Sequence, residues 1–191
     1  MKFEEDHGSI YSDRGERKYL TASERSRFIY QASLASLPLL ALCLVLALTG
    51  CRISEALALT KAHVDREEGT LRFRTLKRRS THCWRTIPVP TRLIELLHYL
   101  PGEEHDRLFP YHRTTAWRHI SKLMEQAGIE GIHASPKGMR HYFGVQADAV
   151  GIPEPILQRW MGHSSLRSTS VYRQAFGEEE DVLADRMCWV T

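Results

Sequence analysis

The chain has little cysteine. Four residues, Cys43, Cys51, Cys83 and Cys188, are scattered through 191 positions, a spacing that supports neither a disulfide framework nor a set of metal ligands. It also lacks a long hydrophobic run. The most apolar stretch, Leu34 to Leu48, is broken by Ser36 and Pro38, and the unbroken remainder is about half of what a membrane span needs. It reads as a buried core helix, with Cys43 and Cys51 packing in or beside it. No basic-then-apolar leader opens the chain, so nothing argues for secretion. A cytoplasmic protein with no membrane partner is the expectation. Repeats and low-complexity tracts are missing. A large excess of one charge is missing as well, the formal net charge being only +3 at pH 7, a weak hint of an anionic partner.

What is present is an ordinary globular composition, 42% hydrophobic and 26% charged, enough for one well-cored domain with at most a small appendage. The charge is unevenly placed. Arg72, Arg74, Lys77, Arg78, Arg79 and Arg85 follow one another with no acid between them, while Glu178, Glu179, Glu180 and Asp181 gather near the end. A local basic surface suits a phosphate backbone, and a solvated basic hairpin would have the same composition.

Punctuation along the chain sets the elements. Met1 to Arg17 is polar with little periodicity and predicts a loose arm. Thr21-Ala22-Ser23-Glu24 has the form of a capping box that opens a helix. A second helix is expected from about Pro38 to Leu48, stopped at Thr49-Gly50, and a third from Arg52 or Ile53 to Leu59. Leu71 and Phe73 alternate with Arg72 and Arg74 as in a half-buried strand. Trp84 to Val89 is its partner, which leaves Leu76 to Cys83 as a basic hairpin tip. Helices follow over Thr91–Leu100 and Thr114–Ala127. Ser135-Pro136 marks another helix start and Gly151 its stop. Pro153–Met161, Ser168–Ala175 and Glu178–Trp189 complete the series. The expected fold is mainly α with a small antiparallel β-sheet, an α+β domain.

Taken singly, the chemically interesting residues have plain structural explanations. Arg52 fits an exposed helix start, with Glu55 paired to it along one face. Arg140 fits a surface position and Tyr172 a core aromatic. Their order carries more. Thr49-Gly50-Cys51-Arg52-Ile53-Ser54-Glu55-Ala56-Leu57 is followed by the basic hairpin holding Lys77. Then come Pro136-Lys137-Gly138-Met139-Arg140-His141-Tyr142-Phe143-Gly144, Leu157-Gln158-Arg159-Trp160-Met161-Gly162-His163-Ser164-Ser165, and Tyr172 in Ser168-Thr169-Ser170-Val171-Tyr172. From about Leu20 to the C-terminus this series resembles the phage-integrase, or tyrosine recombinase, family: two arginine boxes, a hairpin lysine, a Gly-His-Ser segment and a tyrosine, in that order.

The resemblance implies an enzyme that opens a DNA phosphodiester without metal or other cofactor. Such chemistry needs a nucleophile, positive charge on the phosphoryl oxygens and an acid for the leaving oxygen. Tyr172 would be the nucleophile, and its phosphotyrosyl link would conserve the bond energy so that strands rejoin without ATP. Arg52 and Arg140 would grip the non-bridging oxygens with planar, permanently charged forks. Lys77 would protonate the departing 5′-oxygen, His163 would hydrogen-bond the phosphate, and Glu55 would support Arg52 or the local backbone. Lys137 stands where the family usually has histidine. It is expected to add charge at the helix start opened by Ser135 and Pro136, where free backbone N–H groups attract phosphate. His141 and His133 both remain open as bases.

Double-stranded DNA is the implied partner. Arg78 and Arg79 would contact it beside Lys77, and Arg118 and Lys122, close to His119 on the Thr114–Ala127 helix, would do so elsewhere, unless that face is solvated. The expected organisation is an arm over 1–18, a catalytic domain over 19–177 and a C-terminal helix over 178–191. That helix would fold onto its own domain or pass to a neighbour in a dimer-to-tetramer assembly on DNA. Only about twenty residues precede the first helix, too few for the N-terminal DNA-binding domain the family usually carries. A shortened chain or a single-domain recombinase is implied, gripping DNA weakly and salt-sensitively. A type IB topoisomerase-like nicking enzyme and a DNA-binding accessory protein are the alternatives.

Overall fold

The computed structural model describes residues 9–75, 84–163 and 165–174. Lys77, Arg78 and Arg79 of the hairpin tip, and the helix expected after Gly177, lie outside the described residues.

The fold is mainly helical, with one small antiparallel sheet. Its first helix, α1 (Ala22–Ser33), opens on the capping box. The Thr21 hydroxyl accepts from the Glu24 amide at 3.2 Å, and the Glu24 carboxylate accepts from the Thr21 amide at 2.8 Å. Next comes α2 (Leu37–Thr49), apolar on nearly every side and packed against α1, against α4 (Thr91–Tyr99) and against α6 (Pro136–Ala149). A helix without a polar face belongs at the centre of a core, and Ala41, Leu42, Cys43 and Val45 are fully buried there. Gly50 ends α2 with φ +59°, a left-handed cap that costs glycine nothing.

The expected helix from Arg52 or Ile53 to Leu59 is shorter: α3 spans Ile53–Ala56. After Leu57, which still bonds to Ile53, the amides of Ala58 and Leu59 turn to carbonyls only three residues back, Glu55 and Ala56. That tightening ends the helix. A 3₁₀ turn over Lys61–His63 leads to β1 (Val64–Asp65), which pairs with β2 (Thr70–Arg74), itself paired with β3 (Trp84–Pro88). The sheet thus has a third strand beyond the expected pair. Leu71, Phe73, Arg85 and Ile87 occupy its buried positions, with Leu71 opposite Ile87 and Phe73 opposite Arg85.

α5 (Arg113–Gln126) packs on α1 and α3. α6 opens where Ser135 accepts from the Gly138 amide at 3.2 Å. α7 (Glu154–Met161) ends at Gly162, and α8 (Arg167–Ser170) runs into a 3₁₀ turn over Val171–Gln174. The single helix expected over Ser168–Ala175 is therefore a short α turn continued as 3₁₀. The loose arm expected before Arg17 is also corrected from Ser9 onward. Ile10 to Lys18 forms a small hairpin, with the Lys18 amide on the Ile10 carbonyl at 2.7 Å and Ile10 fully buried. Its polar loop hides the one apolar residue that anchors it.

Candidate active site

Helix ends and one strand bring the expected boxes together. Arg140, in the second turn of α6, donates from Nη1 to the Gly50 carbonyl at 2.5 Å and from Nη2 to the Met161 carbonyl at 2.7 Å. Those oxygens close α2 and α7, where helix dipoles leave partial negative charge. One guanidinium so ties three distant stretches of sequence, and its fork keeps further N–H groups for a ligand. Burial and the neighbouring Arg52 lower the pKa of Arg140 to about 10, although the Tyr172 hydroxyl and Glu55 pull the other way. It remains a cation at neutral pH.

Arg52 stands just before α3. Its amide donates to Glu55 Oε2 at 2.8 Å and its Nη1 to Glu55 Oε1 at 3.1 Å. The pairing expected along the helix face is present. Glu55, 2% exposed, also receives Arg85 Nη2 at 2.7 Å and Arg85 Nη1 at 3.3 Å. Burial opposes ionisation of this carboxyl, but the Arg85 hydrogen bonds and charge, with the Arg52 amide and charge behind them, hold its pKa below the ordinary value. Arg85 itself is 5% exposed, donates from Nε to the Trp160 carbonyl at 2.7 Å and lies over the Phe73 ring. Sequence reasoning placed it merely in a basic run. The available signal was its strand phase, since Arg85 alternates with exposed Trp84 and Thr86 and so faces inward with Ile87.

Tyr172, 2% exposed, lies on α6 over Gly144. A β-carbon at Gly144 would come within 2.5 Å of the tyrosine ring, so only glycine allows this approach without displacement. The His163 ring stacks on Tyr172 with centroids 6.1 Å apart, and His141 meets it edge-on at 6.0 Å. Burial raises the Tyr172 pKa, while the charges of Arg140 and Arg52 draw it down. The phenol is thus protonated at neutral pH, with two cations ready to favour its anion.

His163 contacts Thr169 Oγ1 through Nδ1 at 2.9 Å. Burial, then Arg140 and Arg52, push its pKa down to about 3. His141 is pushed down to about 4 by burial, then by Lys137, Arg140 and Lys18, and both its ring nitrogens are buried without a hydrogen-bond partner. His133 sits apart from this group and contacts Glu24 at 3.3 Å. Lys137 is exposed on the first turn of α6. Arg118, His119 and Lys122 are exposed on α5, away from the hydrogen bonds and ring contacts around Tyr172. Thr169 was not anticipated, and no sequence signal distinguished it.

The arrangement offers a hydroxyl beside two guanidinium groups and two uncharged imidazoles, a setting suited to an anionic phosphoryl group. The model of the phage integrase family matches residues 18–179. XerA, a tyrosine recombinase of Pyrococcus furiosus, is 32% identical over 136 residues, covering 65% of this chain and 46% of that protein. XerD of Shewanella oneidensis is 30% identical over 139 residues, covering 65% and 45%. The chain spans about half the length of these curated relatives. The crystal structure of XerA recombinase has a TM-score of 0.75 at 24% identity, covering 88% of this chain and 64% of that one. The catalytic domain of bacteriophage HP1 integrase gives 0.64 at 23%, covering 87% and 93%. With the family match extending over most of its length, and the boxes that suggested it gathered around one tyrosine, this chain belongs to the phage integrase family.

Proposed function

We propose that this chain is the catalytic domain of a tyrosine-type site-specific recombinase, which cuts and rejoins double-stranded DNA through a 3′-phosphotyrosyl intermediate. The observation that carries the reading is the convergence of Arg52, Arg140 and His163 on Tyr172. The two guanidiniums bind the non-bridging oxygens of the scissile phosphate, and His163 donates a hydrogen bond to it. The Tyr172 oxygen attacks phosphorus, the phosphorus–5′-oxygen bond breaks, and Lys77 protonates the departing 5′-oxygen. His141 takes the phenol proton, since His133 is committed to Glu24. A histidine held near pKa 4 is a poor base in the free chain. The negative charge of a bound phosphate offsets the cations around it and raises His141 toward its working range. Rejoining reverses these steps with the 5′-hydroxyl of the partner strand, so neither ATP nor a metal enters the balance.

Glu55 and Arg85 hold Arg52 in place. Lys137 adds charge near the phosphate, and Arg78, Arg79, Arg118 and Lys122 bind the flanking backbone. Assembly as a dimer to tetramer on DNA, with the segment after Gly177 passed between protomers, belongs to the same reading, as does a cytoplasmic setting. Removing residues after Gly177 then weakens pairing of two sites, and unaltered pairing would rule the exchange out.

A nicked suicide duplex, recovered from a random-sequence pool by covalent capture, tests the chemistry. The unaltered chain yields a DNA–protein adduct and Tyr172→Phe yields none. An adduct that survives Tyr172→Phe refutes the assignment. Replacing Arg52 or Arg140 with alanine lowers the adduct-forming rate by roughly 10²–10³, the scale for losing a donor to a developing oxyanion.

A further inference from the structure

The Ile10–Lys18 hairpin begins before the residues that match the family, which start at 18. Yet Ile10 is fully buried in a small cluster with Tyr19, Leu157, Met161, Val171 and Tyr172, separate from the main core. Tyr11 packs against the same cluster from outside. The elements carrying Tyr172 are one α turn and one 3₁₀ turn, of four residues each. Segments that short have no helical stability of their own. Their position is set by whatever they pack on, and Ile10 of the hairpin belongs to the same buried cluster as Val171 and Tyr172.

The hairpin is itself rigidly held. The Ser12 amide donates to the Glu16 carbonyl at 2.8 Å and the Gly15 amide to the Ser12 carbonyl at 2.9 Å. Arg17 grips Glu24 with both terminal nitrogens, at 2.6 and 2.5 Å, and donates to the Tyr19 carbonyl at 2.8 Å. Glu24 also meets His133, just upstream of α6. The hairpin is thereby fastened to α1 and to the approach of the helix that carries Arg140. Its Lys18 ammonium is close enough to help keep His141 uncharged.

We infer that the Ile10–Lys18 hairpin is a positioning element of the active site, which helps fix Tyr172 for attack by filling, with Ile10, the apolar cluster in which Tyr172 is buried. This rests on Tyr172 being the nucleophile. The hairpin is then required for the rate of strand cleavage and not for holding DNA.

The test compares Ile10→Ala, Ile10→Val and a control in the main core, Leu97→Ala. Leu97 is fully buried on α4, so its truncation destabilises the fold without touching the Tyr172 cluster. Adduct formation is followed at saturating nicked duplex, and affinity for the same duplex by anisotropy. Ile10→Ala is expected to slow adduct formation tenfold or more with affinity changed less than twofold. Ile10→Val restores most of the rate, and folded Leu97→Ala keeps it. Should Ile10→Ala fail to fold, Ile10→Thr, which has valine's shape but puts a hydroxyl into the apolar cluster, takes its place. Its Tyr172 ionisation midpoint, read by NMR of ¹³C-labelled tyrosine, shifts from that of the unaltered chain, while Ile10→Val and Leu97→Ala leave it in place. A rate in Ile10→Ala equal to that of Leu97→Ala, or a matching loss of affinity, overturns the inference, as does an unmoved midpoint in Ile10→Thr. An adduct in Tyr172→Phe sinks the nucleophile reading instead, so the two failures are distinguishable.

Discussion

Glu55 accepts hydrogen bonds from two arginines that arrive from different parts of the chain, Arg52 beside it and Arg85 from the sheet. Because Glu55 and Arg85 are both buried, removing Glu55 leaves Arg85 as an uncompensated charge in a poor dielectric, and removing Arg85 leaves only the half-buried Arg52 to compensate the carboxylate. Breaking such a pair costs about 3–5 kcal/mol. Arg85→Ala is expected to lose stability on that scale in urea unfolding, and a loss below about 1 kcal/mol would mean that the pair is solvated and structurally idle. Arg52, Arg140, His163 and Tyr172 were legible in the sequence because their boxes recur in order, each with its neighbours. Arg85 was not, because a run of like charges disguises the one member that points inward. Thr169, which holds His163 through a hydroxyl, gives no pattern at all, since a threonine in a polar stretch resembles any other.

Among the elements, α6 does most to shape the site. It carries Arg140 and His141, and it is cut away at Gly144 to admit the Tyr172 ring. Gly144→Ala is expected to displace that ring and slow adduct formation at least tenfold, with the ¹³C signal of Tyr172 shifted. Unchanged rate and signal would show that the ring does not occupy this notch. The histidines on α6 and beyond α7 make stability depend on pH. Both have folded pKa values, about 4 for His141 and about 3 for His163, below the ordinary 6.5 of an unfolded chain. Between those limits the unfolded state binds more protons, so stability is fully present above about 6.5 and declines as pH falls toward 4. Glu24, lowered to about 2 because Arg17 and the Thr21 amide outweigh its burial, extends the decline to lower pH. Thermal melts from pH 8 to pH 4 should show a flat upper region and a falling lower one. In His141→Phe the upper part of that fall should be shallower, and an identical profile would exclude His141 from it. The longer helices were readable to within a residue or two because caps and periodicity agree. Val64–Asp65 was not, being too short to alternate, and the Ile10 hairpin was not, because one buried residue makes no period.

Over the whole molecule the apolar residues divide between a large core around α2 and the smaller cluster holding Tyr172, while basic side chains stay exposed on α5. A net charge of +3 gives little general attraction to DNA, so any grip depends on where the cations lie. Each phosphate neutralised by a lysine or arginine releases condensed counterions and adds about 0.9 to the slope of log affinity against log salt. Arg118 and Lys122 lie one helical turn apart on α5 and are both exposed, the spacing at which two side chains can follow one strand of backbone. If both contact phosphate, Arg118→Gln with Lys122→Gln should flatten the slope on mixed-sequence duplex by nearly two units, with affinity lowered at every sequence alike. Were the double variant to keep the parent slope between about 50 and 200 mM salt, the α5 face would be a solvated helix surface. The DNA would then have to be held by the sheet side and the cations around Tyr172.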